Sequence, residues 1–414
     1  MTDRRSIAPL PAADHQVPTA TILISVSLML SVAMGMRQSM GLLQPAVLAA
    51  LPVTAADYAL AIAVQNLVWG LTQPLVGMSV DRLGSRPVML AGAGLYLLGL
   101  LVARAADGAA MLMLGIGLSV GLAMSCVGST VAMNVTSRTV SPARRSVAMG
   151  LVSAAGSIGL LGVSPLAQTA LSAGGHAGAL GSFALLALIM LPAAWLAGRA
   201  DHLQRDRHGG SEQSMGQALR EAAAHPGFVV MTVAYFVCGL QLVFLTTHLP
   251  TYISMCGMPS SVAAATLGLI GLFNAFGSLA FGWLGGRYSR RFLLGGIYLL
   301  RSAIITAYFM SVPTPLTTLL FGAVMGALWL GVVPLVNGLV IQLFGMRYMA
   351  TLVGIAFFSH QLGSFVGAWG GGLILSTLGS YEWAWRGAVM IGVLAGITQM
   401  TMSVRPVPRL AAAA

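Results

Sequence analysis

Long apolar runs alternate with short polar connections along almost the whole chain, and the runs are of membrane-crossing length. Runs of about 20 residues suffice for a helix to cross a hydrocarbon core of about 30 Å. They fall near 19–43, 57–80, 87–106, 110–135, 146–172 and 177–198. A second six lie near 227–253, 260–285, 291–311, 315–342, 348–376 and 383–404. The pattern predicts an all-α integral membrane protein with twelve transmembrane helices, both termini on one side. The first run is too long for a signal-peptide core and is read as the first span.

Two connections repeat. Gly77-Met-Ser-Val-Asp81-Arg82-Leu-Gly84-Ser-Arg86 has an altered copy at Gly282 to Arg291, and the spacing that carries Gly77 onto Gly282 also carries Pro45 onto Pro250 and Arg86 onto Arg291. Such a repeat marks two pseudo-symmetric six-helix bundles, with any site lying between them near the bilayer midplane. The chain therefore divides into a tail (1–18), an N-terminal bundle (19–198), a linker (199–226), a C-terminal bundle (227–404) and a second tail (405–414). Within the linker, Ser214-Met-Gly-Gln217 fits a capping box opening a short helix that ends before Pro226. In the second copy of the loop Gly286 stands in place of Asp81, so the halves are not equivalent.

Composition agrees with membrane burial: 57% of residues are hydrophobic and 7% charged. The formal charge of +11 would suggest nucleic acid in a soluble protein, but here the arginines cluster on alternate connections. Arg82, Arg86, Arg138, Arg144, Arg145, the 199–220 segment, Arg287 to Arg291 and Arg347 mark one side, together with the tail residues Arg4, Arg5, Arg405 and Arg409. By the positive-inside rule that side is cytoplasmic. The expected setting is a bacterial inner membrane, multi-pass, with both termini cytoplasmic, membrane lipid as neighbour and no nucleic-acid partner. Three cysteines imply no disulfide framework. No metal-spaced His/Glu set or nucleophile triad is visible, so neither an enzyme nor a cofactor or metal site is expected.

The loop at Gly77 to Arg86 resembles the signature between the second and third spans of the major facilitator superfamily of secondary transporters, and the resemblance extends over nearly all the chain. It implies the two-bundle fold, alternating access, a monomeric carrier, and a gating function for Gly77, Asp81, Arg82, Gly84 and Arg86. The chemistry fits, since a carboxylate meets a helix N-terminus or an arginine, and Gly84 permits a turn that a Cβ obstructs. The alternative is that the arginines only anchor topology.

Within the spans, all ten acidic residues fall in tails, loops or at span ends, which disfavours a carrier of cations. Arg37 in the first span shares a face with Met40 and Gln44 and lies toward the outer part of the membrane. It is a candidate to hold a carboxylate through two parallel hydrogen bonds, or else it snorkels to the interface. Arg301 in the ninth span is either a second substrate ligand or a brace between helices. Gln241 and His248 form a polar stripe in the seventh span. His360 and Gln361 lie near the middle of the eleventh. His360, then His248, are candidates for proton coupling, the alternative being a neutral interhelical bond. Asn274 in the eighth span is an uncharged candidate ligand, the alternative being a bond between helices.

The segments Gly35-Met-Arg37-Gln-Ser-Met-Gly41 and Phe236 to Pro250 look like bacterial members grouped with monocarboxylate porters and oxalate–formate exchangers. That resemblance implies a small organic anion, most simply a monocarboxylate, moved with protons or by exchange. It also implies an acid and an arginine in the eighth span, where this chain has Asn274 and Ser278. An exporter of hydrophobic compounds and a membrane sensor that kept the fold remain the other readings.

Overall fold

The computed structural model describes residues 18–205 and 213–411. Arg4, Arg5 and the linker residues 206–212 lie outside the described residues. All regular structure among the described residues is helical. The first four spans are Thr19–Ala50, Ala55–Leu83, Ser85–Arg104 and Ala109–Thr139. The segment Pro142–Ala197 reverses at Gly174–Gly175, where Gly175 takes φ +58°, and so supplies the fifth and sixth. The second bundle comprises Pro226–Met255, Ser260–Arg287, Arg290–Met310, Pro315–Phe344, Met349–Leu378 and Glu382–Thr401. The twelve helices match the expected order, although the first runs beyond residue 43 to Ala50.

Capping chemistry sets several boundaries. Thr54 and Asp57 form a reciprocal box at the start of the second span. Ser214 and Gln217 do the same for the linker helix Met215–Ala224, as their spacing predicts. His225 then caps the seventh span, accepting from the Phe228 amide through Nδ1 at 3.3 Å.

Two spans are broken. The fourth is interrupted at Gly128, which has extended backbone between Val127 and Ser129. The tenth is interrupted between Ala327 and Val332. Breaks inside a membrane persist where neighbouring groups satisfy the freed backbone. The amide of Gln73 donates to Ser125 O at 3.1 Å near the first break, and the second break is served by Arg301 and Asn274.

The bundles meet along two helix pairs, second with eleventh and fifth with eighth. Both contacts run from the middle of the spans toward the end that carries the arginine-rich loops, here called the basic end. At the fifth–eighth crossing Gly150 and Gly282 face each other so closely that a Cβ on Gly150 would lie 2.8 Å from the Gly282 Cα. Ser146 Oγ donates to Gly282 O at 2.6 Å beside them. Small residues let helix backbones approach where no hydrophobic effect drives association. Gly282→Leu is therefore expected to wedge the two helices apart, raising thiol-reagent access at a Ser146→Cys reporter; unchanged access would show that the crossing tolerates a side chain.

Candidate functional site

Halfway along the spans, residues of both bundles converge. The Arg37 guanidinium bonds to Asn66 Oδ1 and lies 4.9 Å from the ring centre of Trp69. Its Nε is buried without a partner. Arg37 is well short of the outer end of its helix, because the first span continues to Ala50. It stands near the midpoint of that helix. Asn66 and Trp69 are three residues apart on the second span and so share a face.

The other bundle contributes the eleventh span. Gln361 Nε2 donates to Asn66 O at 3.1 Å, crossing between the halves. His360 Nδ1 stands 3.2 Å from Gln361 Oε1. Because that oxygen only accepts, the contact selects the Nδ1–H tautomer and leaves the Nε2 lone pair as the basic position. The His360 ring lies 4.7 Å from Tyr235 and stacks on Phe357, while Phe357 in turn lies 4.8 Å from Trp69. An aromatic wall thus runs from beside Arg37 in one bundle to Tyr235 in the other.

Arg301 has no exposed surface, and its donors are occupied. Nε donates to Leu328 O at 3.2 Å and Nη1 to Cys238 Sγ at 3.2 Å, while Nη2 reaches the carbonyls of Leu328 and Trp329. Asn274 completes the arrangement. Its Oδ1 accepts from the Leu330 amide at 2.9 Å and its Nδ2 donates to Ser157 Oγ at 2.8 Å. Both residues hold the freed backbone of the broken tenth span, the bracing alternative to a ligand role, with three carbonyl contacts and a thiol giving each guanidinium nitrogen a partner. Arg301→Gln is expected to destabilise the fold by about 1–3 kcal/mol for each buried carbonyl left without its donor, read as a lower melting temperature in detergent. A variant with unchanged stability would restore Arg301 to the list of ligands.

Gln241 and His248 make interhelical bonds, the alternative to a direct role in transport. Gln241 is fully buried and donates to Ala388 O at 3.0 Å, joining the seventh span to the twelfth. His248 has both nitrogens occupied: Nε2 donates to Ala368 O at 2.8 Å, and Nδ1 lies 3.0 Å from the Tyr381 hydroxyl oxygen. Since a carbonyl only accepts, Nε2 carries a hydrogen, and the ring links three elements.

At the basic end, the Asp81 side chain is completely buried. One oxygen accepts from the Thr351 amide at 2.8 Å and the Thr351 hydroxyl at 2.7 Å. The other lies 3.3 Å from Arg138 Nη2. Thr351 is in the first turn of the eleventh span, so the carboxylate sits at a helix N-terminus of the opposite bundle, where the helix dipole favours negative charge. Gly77 allows this approach, for a Cβ there would strike the Ala350 carbonyl. Gly84 adopts φ +93° between the second and third spans. Arg82 is exposed, and Arg86 stacks over Trp195 within its own bundle at 4.7 Å. The expected partnership of Asp81 with a helix end and an arginine is present, but the arginine is Arg138 and not a neighbour in the loop. Asp201 caps the third span, accepting from the amides of Ser85 and Arg86 at 2.9 Å each.

Sequence reasoning passed over Trp69, Tyr235, Phe357 and Thr351. Trp69 is the one with a signal, being three residues from Asn66 on the helix that follows Arg37. The contacts of Thr351 and the aromatics depend on how two bundles dock, which no local spacing encodes.

The family model of the Major Facilitator Superfamily matches residues 23–368. Mouse monocarboxylate transporter 4 is 28% identical over 224 residues, covering 52% of this chain and 46% of that protein, so the match spans about half of each. A solved structure of a variant of the E. coli fucose:proton symporter FucP superposes with a TM-score of 0.72 at 16% identity, covering 93% of this chain and 98% of that one. The human organic anion transporter MFSD10 does so with 0.63 at 17%, covering 92% and 100%. At these identities the structural likenesses establish the two-bundle fold alone. With the family model covering most of the spans, the chain belongs to the major facilitator superfamily.

Proposed function

We propose that this transporter carries a small organic anion, most simply a monocarboxylate, by proton-coupled alternating access or anion exchange. The observation that supports it is Arg37: a guanidinium near the midpoint of the first span, bonded to a neutral amide, with an unpartnered Nε. Among the described residues neither Arg37 nor Arg301 forms an ion pair. A buried cation without a carboxylate favours an anionic ligand, and the planar fork of arginine matches a carboxylate. Asn66 offers a second polar group, and the wall of Trp69, Phe357 and Tyr235 suits an apolar body. Resemblance to a monocarboxylate transporter over half the chain points the same way. The basic end, by its arginines, is cytoplasmic, and the membrane is the bacterial inner membrane.

His360 is the proton carrier in this reading, with Nε2 as the accepting atom. The test is uptake into proteoliposomes under an imposed pH gradient, using a panel of carboxylates. At least one carboxylate is expected to accumulate. If none moves or competes while lipophilic compounds are extruded, the substrate class is wrong. His360→Gln is expected to lower gradient-driven uptake by about tenfold or more, equivalent to at least ~1.4 kcal/mol, while counter-exchange continues. An unaltered response to the gradient would remove His360 from coupling.

A further inference from the structure

The cytoplasmic part of the fourth span, Ser129–Thr139, is buried almost throughout although six of its eleven residues are Ser, Thr or Asn. Three of its five hydroxyls find partners locally. Thr136 Oγ1 donates to Ala132 O at 2.7 Å, Ser137 Oγ to Asn134 O at 2.8 Å and Thr139 Oγ1 to Val135 O at 2.8 Å. Asn134 differs. It has no exposed surface, and neither its Nδ2 nor its Oδ1 has a hydrogen-bonding partner in the protein. An amide left in this condition is costly, and native structures contain few.

The second bundle has a counterpart. Asn134 follows the break at Gly128 by six residues, and Asn337 follows Gly331, at the break in the tenth span, by six. Asn337 is 2% exposed; its Nδ2 donates to Val333 O at 2.8 Å, and its Oδ1 is without a partner. The two helical segments, Ser129–Thr139 and Val332–Phe344, touch across the boundary between the bundles. Ser137, one turn from Asn134 on the same face, meets Met349 of the other bundle at 3.3 Å. Asn134 therefore faces the half of the boundary that is closed here, on the cytoplasmic side of Arg37 and His360, and Asn337 lies on the segment that meets it there.

We infer that Asn134 and Asn337 line the cytoplasmic half of the transport path, buried from the surface in this conformation and hydrated when that side opens, where they offer amide groups to a passing polar substrate. Groups starved of partners in the closed form and supplied with water in the open one pull the equilibrium toward opening, against the Asp81 contacts. The inference rests on the alternating-access reading but not on the substrate or on proton coupling.

The test needs no substrate. In full-length protein whose three cysteines are replaced, Asn134→Cys and Asn337→Cys are exposed to a membrane-impermeant maleimide in vesicles of each orientation. Labelling is expected from the cytoplasmic side only, and roughly tenfold or more faster when Asp81→Asn is added, the change that follows from weakening a charged hydrogen bond. Labelling from the outer side, or a rate no greater than that of a Met89→Cys control in the packed third span, would overturn it. Asn134→Leu, which removes the unmatched amide, is expected to slow labelling of a cytoplasmic reporter at Ser146→Cys by about 5- to 100-fold. Unchanged or faster labelling would also defeat the inference. Because carboxylate transport is not measured, failure of the proposed substrate class leaves this outcome independent.

Discussion

Asp81→Asn is expected to move the carrier away from the form closed at the basic end by about two orders of magnitude and to lower net transport accordingly. The carboxylate receives an amide, a hydroxyl and the Arg138 guanidinium in a site from which its side chain has no exposed surface. Charge-assisted hydrogen bonds contribute about 1.5–3 kcal/mol each, and removing one member of a buried pair costs about 3–5 kcal/mol because the partner charge remains. Arg138 is that partner, its side chain only 10% exposed. Once the cytoplasmic side opens, water reaches Arg138, so the penalty falls on the closed form and the population shifts toward opening. Distances between spin labels on the cytoplasmic ends of the second and eleventh spans would report the change. A distribution identical to that of the parent would show that Asp81 does not hold the closed form. Thr351→Val tests the same contact from the other bundle, with a smaller effect because the amide bond survives.

Arg37→Gln is expected to weaken carboxylate binding by about 30-fold or more, following the roughly 2–5 kcal/mol lost when one member of a buried charged pair is removed. Arg37→Lys separates charge from geometry. It keeps the cation but loses the planar fork and the stacking on Trp69, so an intermediate affinity is expected. Equilibrium binding to purified protein measures both. If Arg37→Gln binds carboxylates as tightly as the parent, the guanidinium serves only to brace Asn66 and Trp69.

The span order, the repeat, the linker cap and the special position of Asp81 were legible in the sequence because each depends on local chemistry: apolar run length, capping spacing, or a carboxylate with no topological purpose. What Asp81 touches was not legible. Thr351 is 270 residues away, and only docking of the bundles makes them neighbours. The polar residues inside the spans show the same division. Arg301, Asn274, His248 and Gln241 stand out as polar groups in apolar helices, but a sequence does not say whether a donor faces a path or a freed carbonyl. The break at Leu328 to Gly331 decides it for two of them, and Ala368, Tyr381 and Ala388 for the others. Arg37 keeps an unpartnered Nε, as Gln241 keeps an unpartnered Oε1, but only Arg37 brings a charge. Its place near the midpoint of the helix was not legible because the first helix runs through Pro45 to Ala50.

Asn274 works like a clasp with two unequal grips. Its oxygen holds the Leu330 amide within its own bundle, and its nitrogen reaches Ser157 in the other. Separation of the bundles releases the second grip and leaves the first. Together with Arg301, the first keeps the bend of the tenth span as a permanent part of the C-terminal bundle, so opening to the cytoplasm does not have to remake a helix. The bend is carried through the cycle as fixed architecture, and the barrier to rocking is set by contacts that slide or part, not by backbone that must refold.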